Sequence, residues 1–194
     1  MPSTSRRRPL WRACASRYDQ PWSFSTRSTN PEPGRFDLLA PRGTCYWALT
    51  PAAAIIEVTA DPDQDERPVL TIGALSGLSL WRALHVRQAR SKLADTTRAS
   101  VPTLTTELAT VVPYTLSWAW ADALDGHGRN GIVYVARFAV DESVALFGPA
   151  GVPDQPWPTH RMEAIEHFDD LPAGFRAGVG TVGNLHELPR ASAP

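Results

Sequence analysis

Asn30 to Asp61 reads NPEPGRFDLLAPRGTCYWALTPAAAIIEVTAD, and three local structures follow one another along it. A Pro/Gly turn delivers Arg35. Next comes an alternation in which Cys45, Trp47 and Leu49 form one apolar set and Thr44, Tyr46 and Ala48 the other, the period of two that a strand requires. Tyr46 is thereby placed off the more apolar face. Thr50 and Pro51 then open a helix, the threonine as a side-chain cap and the proline at the first helical position, where its missing N–H costs nothing. At about 100° per residue Ala52, Ile55, Ile56 and Thr59 share the core stripe, and Glu57 projects off it.

One turn before Glu57, on its own side, stand only Ala53 and Ala54; one turn after it stands Asp61, a like charge that favours protonation. The helix itself leaves the carboxylate without a counter-charge. An arginine, a phenol and a carboxylate supplied by a loop, a strand and a helix suit an anionic, aromatic, ribose-bearing ligand, and nicotinamide dinucleotide fits that description. Taken singly, Arg35 reads as a turn arginine, Tyr46 as a half-buried strand tyrosine and Glu57 as an exposed helix residue. Their order and spacing, with motifs further downstream, favour a site.

Composition bounds the reading. The 194 residues suffice for one ordinary core. A formal net charge of −1 supplies no global attraction to nucleic acid or anionic lipid. Of the 19 basic residues only Lys92 is a lysine. Cys14 and Cys45 cannot alone make a disulfide framework or a four-ligand zinc site, and both are expected to be reduced core residues. No apolar run approaches the ~20 residues that span a bilayer. With no secretory segment near the N-terminus, the cytoplasm is the expected location.

Met1 to Leu10 is a Ser/Arg/Pro arm containing Arg6, Arg7 and Arg8, expected to be disordered. Trp11 to Arg17 opens the fold as a strand, and the turn-rich Pro21 to Pro33 carries Trp22, Phe24 and Ser25 as an expected wall of a pocket entrance. Asp61 to Glu66 is acidic but lacks the glycine and spacing of a calcium loop. A short strand is expected over Val69 to Ile72. Leu80 and Leu84, with Arg82, Arg87 and Arg90 around them, suggest an amphipathic helix over Ser76 to Leu93, and a weaker one follows over Thr105 to Val112. From Pro113 to Asp125 the spacing predicts a helix with Leu116, Trp120, Ala123 and Leu124 inward, stopped by Gly126 and Gly128.

Gly131 to Phe138 reads as a buried strand, with Ile132, Tyr134, Ala136 and Phe138 on one side and Val133, Val135 and Arg137 on the other. Ser143 to Phe147 is its expected partner, and the pair should form the far wall of a cleft. Among His160, Glu163, Glu166 and His167 only Glu163 and His167 are one turn apart, which suits a surface pair and not a metal site. Gly178 to Gly183 has the letters of a dinucleotide fingerprint, yet only eleven residues follow, too few for the helix and strand that fingerprint needs. The tail from Asn184 to Pro194 is expected to be loosely held.

GRFD at Gly34–Asp37, PRGTCYWA at Pro41–Ala48, the Thr50–Pro51 helix leading to Glu57, NGIVYVARF at Asn130–Phe138 and VALFGP at Val144–Pro149 together resemble the RES family, named for Arg, Glu and Ser. The resemblance covers roughly residues 11 to 150. It divides the chain into a basic arm over 1–10, a RES domain over 11–150, and an extension over 151–194 packed on the domain or trailing from it. It implies an α+β, ADP-ribosyltransferase-like fold, with small mixed or antiparallel sheets and flanking helices around one cleft. It also implies the toxin of a toxin–antitoxin pair, an Xre-type helix-turn-helix antitoxin as partner, and destruction of NAD by hydrolysis or phosphorolysis. NAD is then substrate, not resident cofactor; no metal, direct nucleic-acid contact or membrane is implied, and a homo-oligomer is possible. Carried over by position, the family arginine is Arg35, the tyrosine Tyr46 and the glutamate Glu57. Arg12 matches an arginine near the family's start, the family serine position holds Ala136, Arg137 follows it within NGIVYVARF, and these three join Arg35 and Tyr46 as the expected NAD-binding residues.

The chemistry follows from the bond to be broken. Nicotinamide leaves as a neutral molecule from a cationic pyridinium, so no general acid is required, and the site must instead supply negative charge to an oxocarbenium-like ribose. Glu57 is assigned that role and the orientation of a hydroxyl, water or phosphate. Arg35 is assigned to the pyrophosphate through its fork of donors, and Tyr46 to a flank of the nicotinamide or ribose. Ala136 removes one hydroxyl, worth on the order of 1 kcal/mol or more, which predicts turnover slowed by about tenfold or more. Ser117 on the neighbouring helix is the candidate replacement. The alternatives are a non-catalytic RES protein that binds a nucleotide or protein, and an ADP-ribosyltransferase acting on a macromolecule.

Overall fold

A computed structural model describes residues 9–59, 75, 77–83, 91–97, 108, 111–136, 141–156 and 158–161. The arm before Pro9, the acidic stretch, the expected strand at 69–72, most of the expected helix at 105–112, Arg137, the Glu163/His167 pair, the glycine run and the tail lie outside the described residues. The structure is of mixed α and β class. Its elements are β1 (Leu10–Ala15), β2 (Arg42–Ala48), α1 (Pro51–Thr59), β3 (Leu78–Ala83), β4 (Ala94–Asp95), α2 (Thr115–Gly126), β5 (Gly131–Val135), β6 (Glu142–Pro149) and β7 (Thr159–Arg161).

The described strands form one seven-stranded sheet in the order β4-β5-β6-β2-β1-β3-β7, where several small sheets were expected. Only the β4–β5 pair is parallel. β2 pairs with β6 along its whole length, from Arg42 opposite Pro149 to Ala48 opposite Ser143, and β6 continues the ladder to β5. The alternation read in β2 holds. Cys45, Trp47 and Leu49 pack with Trp22, Val133, Val144 and Leu146 on one face. The other face is buried as well: Tyr46 borders a cluster of Phe36, Ile132, Tyr134, Ala145 and Phe147, while Ala48 joins Ala13, Leu78 and Leu80.

Both helices lie on this second face. α1 inserts Ala53, Ala54 and Ile55 against Ala48 and Leu80. Full burial of Ile55 contributes roughly 1.5–3 kcal/mol. The inward stripe is therefore rotated from the expected one: Ala52 and Ile56 sit at its border. Small alanines bring the helix close to the sheet, and closeness of backbone outweighs the larger apolar side chain. The cap is as read, with the Ala53 amide donating to Thr50 Oγ1 at 3.2 Å. The same hydroxyl donates to Asp141 Oδ2 at 2.9 Å, which ties the start of α1 to the approach of β6.

Three expectations need correction. Leu78–Ala83 is a strand, not part of a helix over 76–93, because it pairs over six positions with β1 from Leu10 opposite Ala83 to Ala15 opposite Leu78. α2 turns Ser117 and Ala121 inward and leaves Leu116 and Trp120 38% and 37% exposed, one position out of phase with the expected stripe. Trp22 and Phe24 do not wall an entrance; they are core residues beneath the opposite face, with Trp22 tilted on Trp47 at 4.4 Å between ring centroids. Residues beyond 150 also contribute to the sheet, since β7 extends it through Trp81, Arg82 and Ala83. No described helix is long and apolar enough to cross a membrane.

Candidate active site

The Gly34–Asp37 loop is held from several sides. Asp37 is fully buried, and its carboxylate accepts from Ser25 Oγ at 2.8 Å, Tyr46 Oη at 2.9 Å and the Gly34 amide at 2.9 Å. Tyr46 Oη in turn accepts from the Phe36 amide at 2.8 Å, and Trp118 Nε1 donates to the Gly34 carbonyl at 3.0 Å. Gly34 is required by crowding: a Cβ there would meet Tyr46 Oη at 2.7 Å. The backbone on both sides of Arg35 is thus fixed by Asp37, Tyr46 and Trp118.

Arg35 itself reaches the Leu108 carbonyl through Nη1 at 3.1 Å and lies 5.3 Å from the Tyr114 ring centroid, a cation–π distance. Its positive charge is close enough to Glu57 to lower the pKa of that carboxyl. Glu57 is brought from α1 and accepts from Tyr134 Oη of β5 at 3.2 Å. Its residue surface remains solvent-exposed, yet protein crowds the carboxylate. Loss of hydration pushes its pKa above the ordinary carboxylate value, with Arg35 and then Tyr134 opposing the rise. The result is a carboxylate that a phenol holds by a hydrogen bond within the field of a cation.

Sheet register explains why the two tyrosines meet. Across β6, Ala145 faces Tyr46 of β2 and Ile132 of β5, while Ser143 faces Ala48 and Tyr134. β6 therefore puts only small side chains between the two phenols. Burial pushes both phenols well above their usual pKa; the negative charge of Asp37 adds to the rise at Tyr46, and that of Glu57 at Tyr134. Both stay protonated. Tyr134 also packs edge-on to Phe36, with ring centroids 4.9 Å apart. Ser117 is buried and its hydroxyl has no hydrogen-bond partner, while the Ser143 hydroxyl lies close enough to Tyr134 to lower the pKa of that phenol.

The expected residues separate accordingly. Arg35 and Glu57 converge. Tyr46 is beside them, with its hydroxyl bonded to the Asp37 carboxylate and the Phe36 amide, so that it also braces the loop. Arg12 is not brought to the group. Its guanidinium donates to Cys45 Sγ and to the Ser23 carbonyl, on the face of the sheet opposite Tyr46. Cys45 is buried and Cys14 only partly so, and neither forms a disulfide. Ala136 follows β5, is buried, and donates its amide to the Asp141 carbonyl at 2.9 Å. Arg137 lies outside the described residues. Among the described residues no three His, Cys, Asp or Glu side chains cluster as metal ligands would.

Two residues of the site escaped the sequence reading. Tyr134 was recognised only as a strand residue, although its place two positions before Ala136 on one side of β5 is a signal of proximity. Asp37, within GRFD, is the second. An acid three residues after a turn glycine is a common way to bind a loop amide, as it does here.

Comparisons with known proteins bear on the family and the fold. No curated protein matches the sequence. Among solved structures, a chain of the crystal structure of the M. tuberculosis MbcT–MbcA toxin–antitoxin complex is similar in fold, with a TM-score of 0.53 at 12% identity over 80% of this chain and 84% of that one. The family model for the RES domain matches residues 9–165, which takes in every described strand and both described helices. The chain belongs to the RES domain family.

Proposed function

We propose that this protein is the toxin of a toxin–antitoxin pair and destroys NAD by cleaving the nicotinamide–ribose bond, with water or phosphate as acceptor. The observation that carries the reading is that a RES domain holds Glu57 by the Tyr134 hydroxyl on the side of the sheet where the braced Arg35 loop lies. The ADP-ribosyltransferase-like character of the fold belongs to the same proposal. The fold likeness to a chain of a toxin–antitoxin complex supports the toxin role, and an Xre-type helix-turn-helix antitoxin is the proposed partner.

In this mechanism the Arg35 guanidinium, braced by the Leu108 carbonyl and the Tyr114 ring, neutralises the pyrophosphate. Ionised Glu57 faces the ribose as the C–N bond lengthens and stabilises the growing positive charge. The electron pair of that bond goes to the nicotinamide nitrogen, and the acceptor oxygen then bonds to the ribose carbon, a water losing its proton to Glu57 and from there to solvent, a phosphate attacking through an oxygen that is already deprotonated. The test is release of nicotinamide from NAD by the purified protein, with and without phosphate. Glu57→Gln is expected to lower turnover by about a hundredfold or more. A wild-type protein that releases none overturns the proposal, and label transferred to protein identifies a macromolecular acceptor instead.

Ala136 favours a second reading, a RES protein that binds the nucleotide without turning it over. Ala136→Ser separates the two. An enzyme slowed by the missing hydroxyl gains about tenfold in turnover, whereas a binding protein stays silent in both forms.

A further inference from the structure

Glu57 has neighbours that the family's three-letter name does not include. Among the described residues, the ionisable groups facing it are the Arg35 guanidinium and the Tyr134 phenol, with Tyr46 behind Tyr134. Arg35 arrives on a loop and sets the charge. Tyr134 arrives on β5, a rigid interior strand paired to β6 on one side and β4 on the other. Its ring is 4% exposed and packs edge-on to Phe36, so the hydroxyl has little freedom of position. That hydroxyl donates to Glu57 Oε2 at 3.2 Å across 77 residues of chain. Glu57 sits near the end of a nine-residue helix, where its own side chain has three rotatable bonds and no partner on its own helix among the described residues. Residue 136, just past the end of β5, is alanine and has no hydroxyl to give.

We propose that Tyr134 is the positioning residue for Glu57 in this chain, its phenol holding one carboxylate oxygen so that the other faces the ligand. The register supports this placement. Ser143, directly opposite Tyr134 on β6, is small and buried, and its hydroxyl lies beside the phenol, where donation from it lowers the pKa of Tyr134. The floor beneath the phenol thus offers a donor to the phenol oxygen and leaves the phenol proton to point elsewhere. The donor of the phenol is left to the carboxylate, the acceptor it meets in this structure. Donation to the charged form also opposes the rise that burial imposes on the Glu57 pKa. Positioning and ionisation are thus served by one bond.

The positioning of a carboxylate for NAD cleavage rests on the proposed function; the hydrogen bond itself does not, and the two are tested apart. Tyr134→Phe keeps the ring and its packing and removes only the hydroxyl. The Glu57 carboxyl resonance, identified by its loss in Glu57→Gln, is titrated by carbon NMR in the wild type and in Tyr134→Phe. An upward shift of its midpoint in the variant is expected; superimposable titrations overturn the inference. With NAD, the variant is expected to lose turnover by about tenfold, with KM within about twofold and the acid limb of its pH profile moved upward. A loss confined to KM, or an unmoved acid limb, also overturns it. If wild-type protein releases no nicotinamide, the proposed function fails while the titration still decides the role of Tyr134.

Discussion

Asp37→Asn isolates the loop that carries Arg35. The substitution keeps volume but removes a buried charge and turns one acceptor oxygen into a donor. In the wild type both oxygens are used, Oδ1 by the Ser25 and Tyr46 hydroxyls and Oδ2 by the Gly34 amide. An asparagine can face its oxygen to one set only. Its NH2 then confronts either the Gly34 N–H or two hydroxyls. Tyr46 cannot readily reverse its bond, because its oxygen already accepts from Phe36. Charge-assisted bonds contribute about 1.5–3 kcal/mol each, and losing two with partial rearrangement costs about 3 kcal/mol. For a domain of this size 1 kcal/mol moves Tm by about 2–4 °C, so a fall of roughly 6–12 °C is expected. Thermal unfolding followed by circular dichroism measures it, with Ser25→Ala, which removes one of the three donors, as a milder companion. A fall below about 2 °C for Asp37→Asn refutes the account of the buried carboxylate as the anchor of the loop.

Thr50→Val removes both the helix cap and the bond to Asp141 and is expected to cost about 1–2 kcal/mol in urea unfolding, whereas Thr50→Ser keeps most of it; equal losses refute the double role. Burial raises the Glu57 pKa in the folded state, so its contribution to stability is full below the unfolded carboxylate pKa and is lost as pH rises through the folded one. Glu57→Gln is therefore expected to exceed the wild type in urea midpoint at neutral pH, with the two curves converging in acid; coincident midpoints at neutral pH contradict the cited shift. The phase of α2 is checked by a pair of variants: Trp120→Gln changes stability by about 0.5 kcal/mol or less, while Ala121→Gln, forced into the sheet face, costs about 1–3 kcal/mol. The reverse order restores the stripe expected from hydrophobicity.

What was legible in the sequence was local. The alternation through Tyr46 and the Thr50–Pro51 start of α1 are written in neighbouring residues, and both appear in the fold as read. Leu80 and Leu84 share the spacing of a helix, but Leu78 and Leu80 share that of a strand, and pairing with β1 decides between them. α2 was misphased because hydrophobicity favours Leu116 and Trp120, whereas the close approach to the sheet admits only Ser117 and Ala121. Arg35 and Glu57 were found as members of one pattern. That Tyr46 spends its hydroxyl on Asp37, that Arg12 points to the other face, and that Tyr134 reaches Glu57 all depend on register across β6, which no short stretch encodes.

β6 lies between β2 and β5 in space but comes last of the three along the chain. During synthesis, Arg35, Tyr46 and Glu57 all leave the ribosome well before the strand that joins them to Tyr134. A nascent chain that stops short of residue 149 carries the acid and the guanidinium without the ladder that sets Tyr134 against the acid. Non-local pairing of this kind is the slow part of assembly. The order of emergence delays completion of the site until nearly the whole domain has been made.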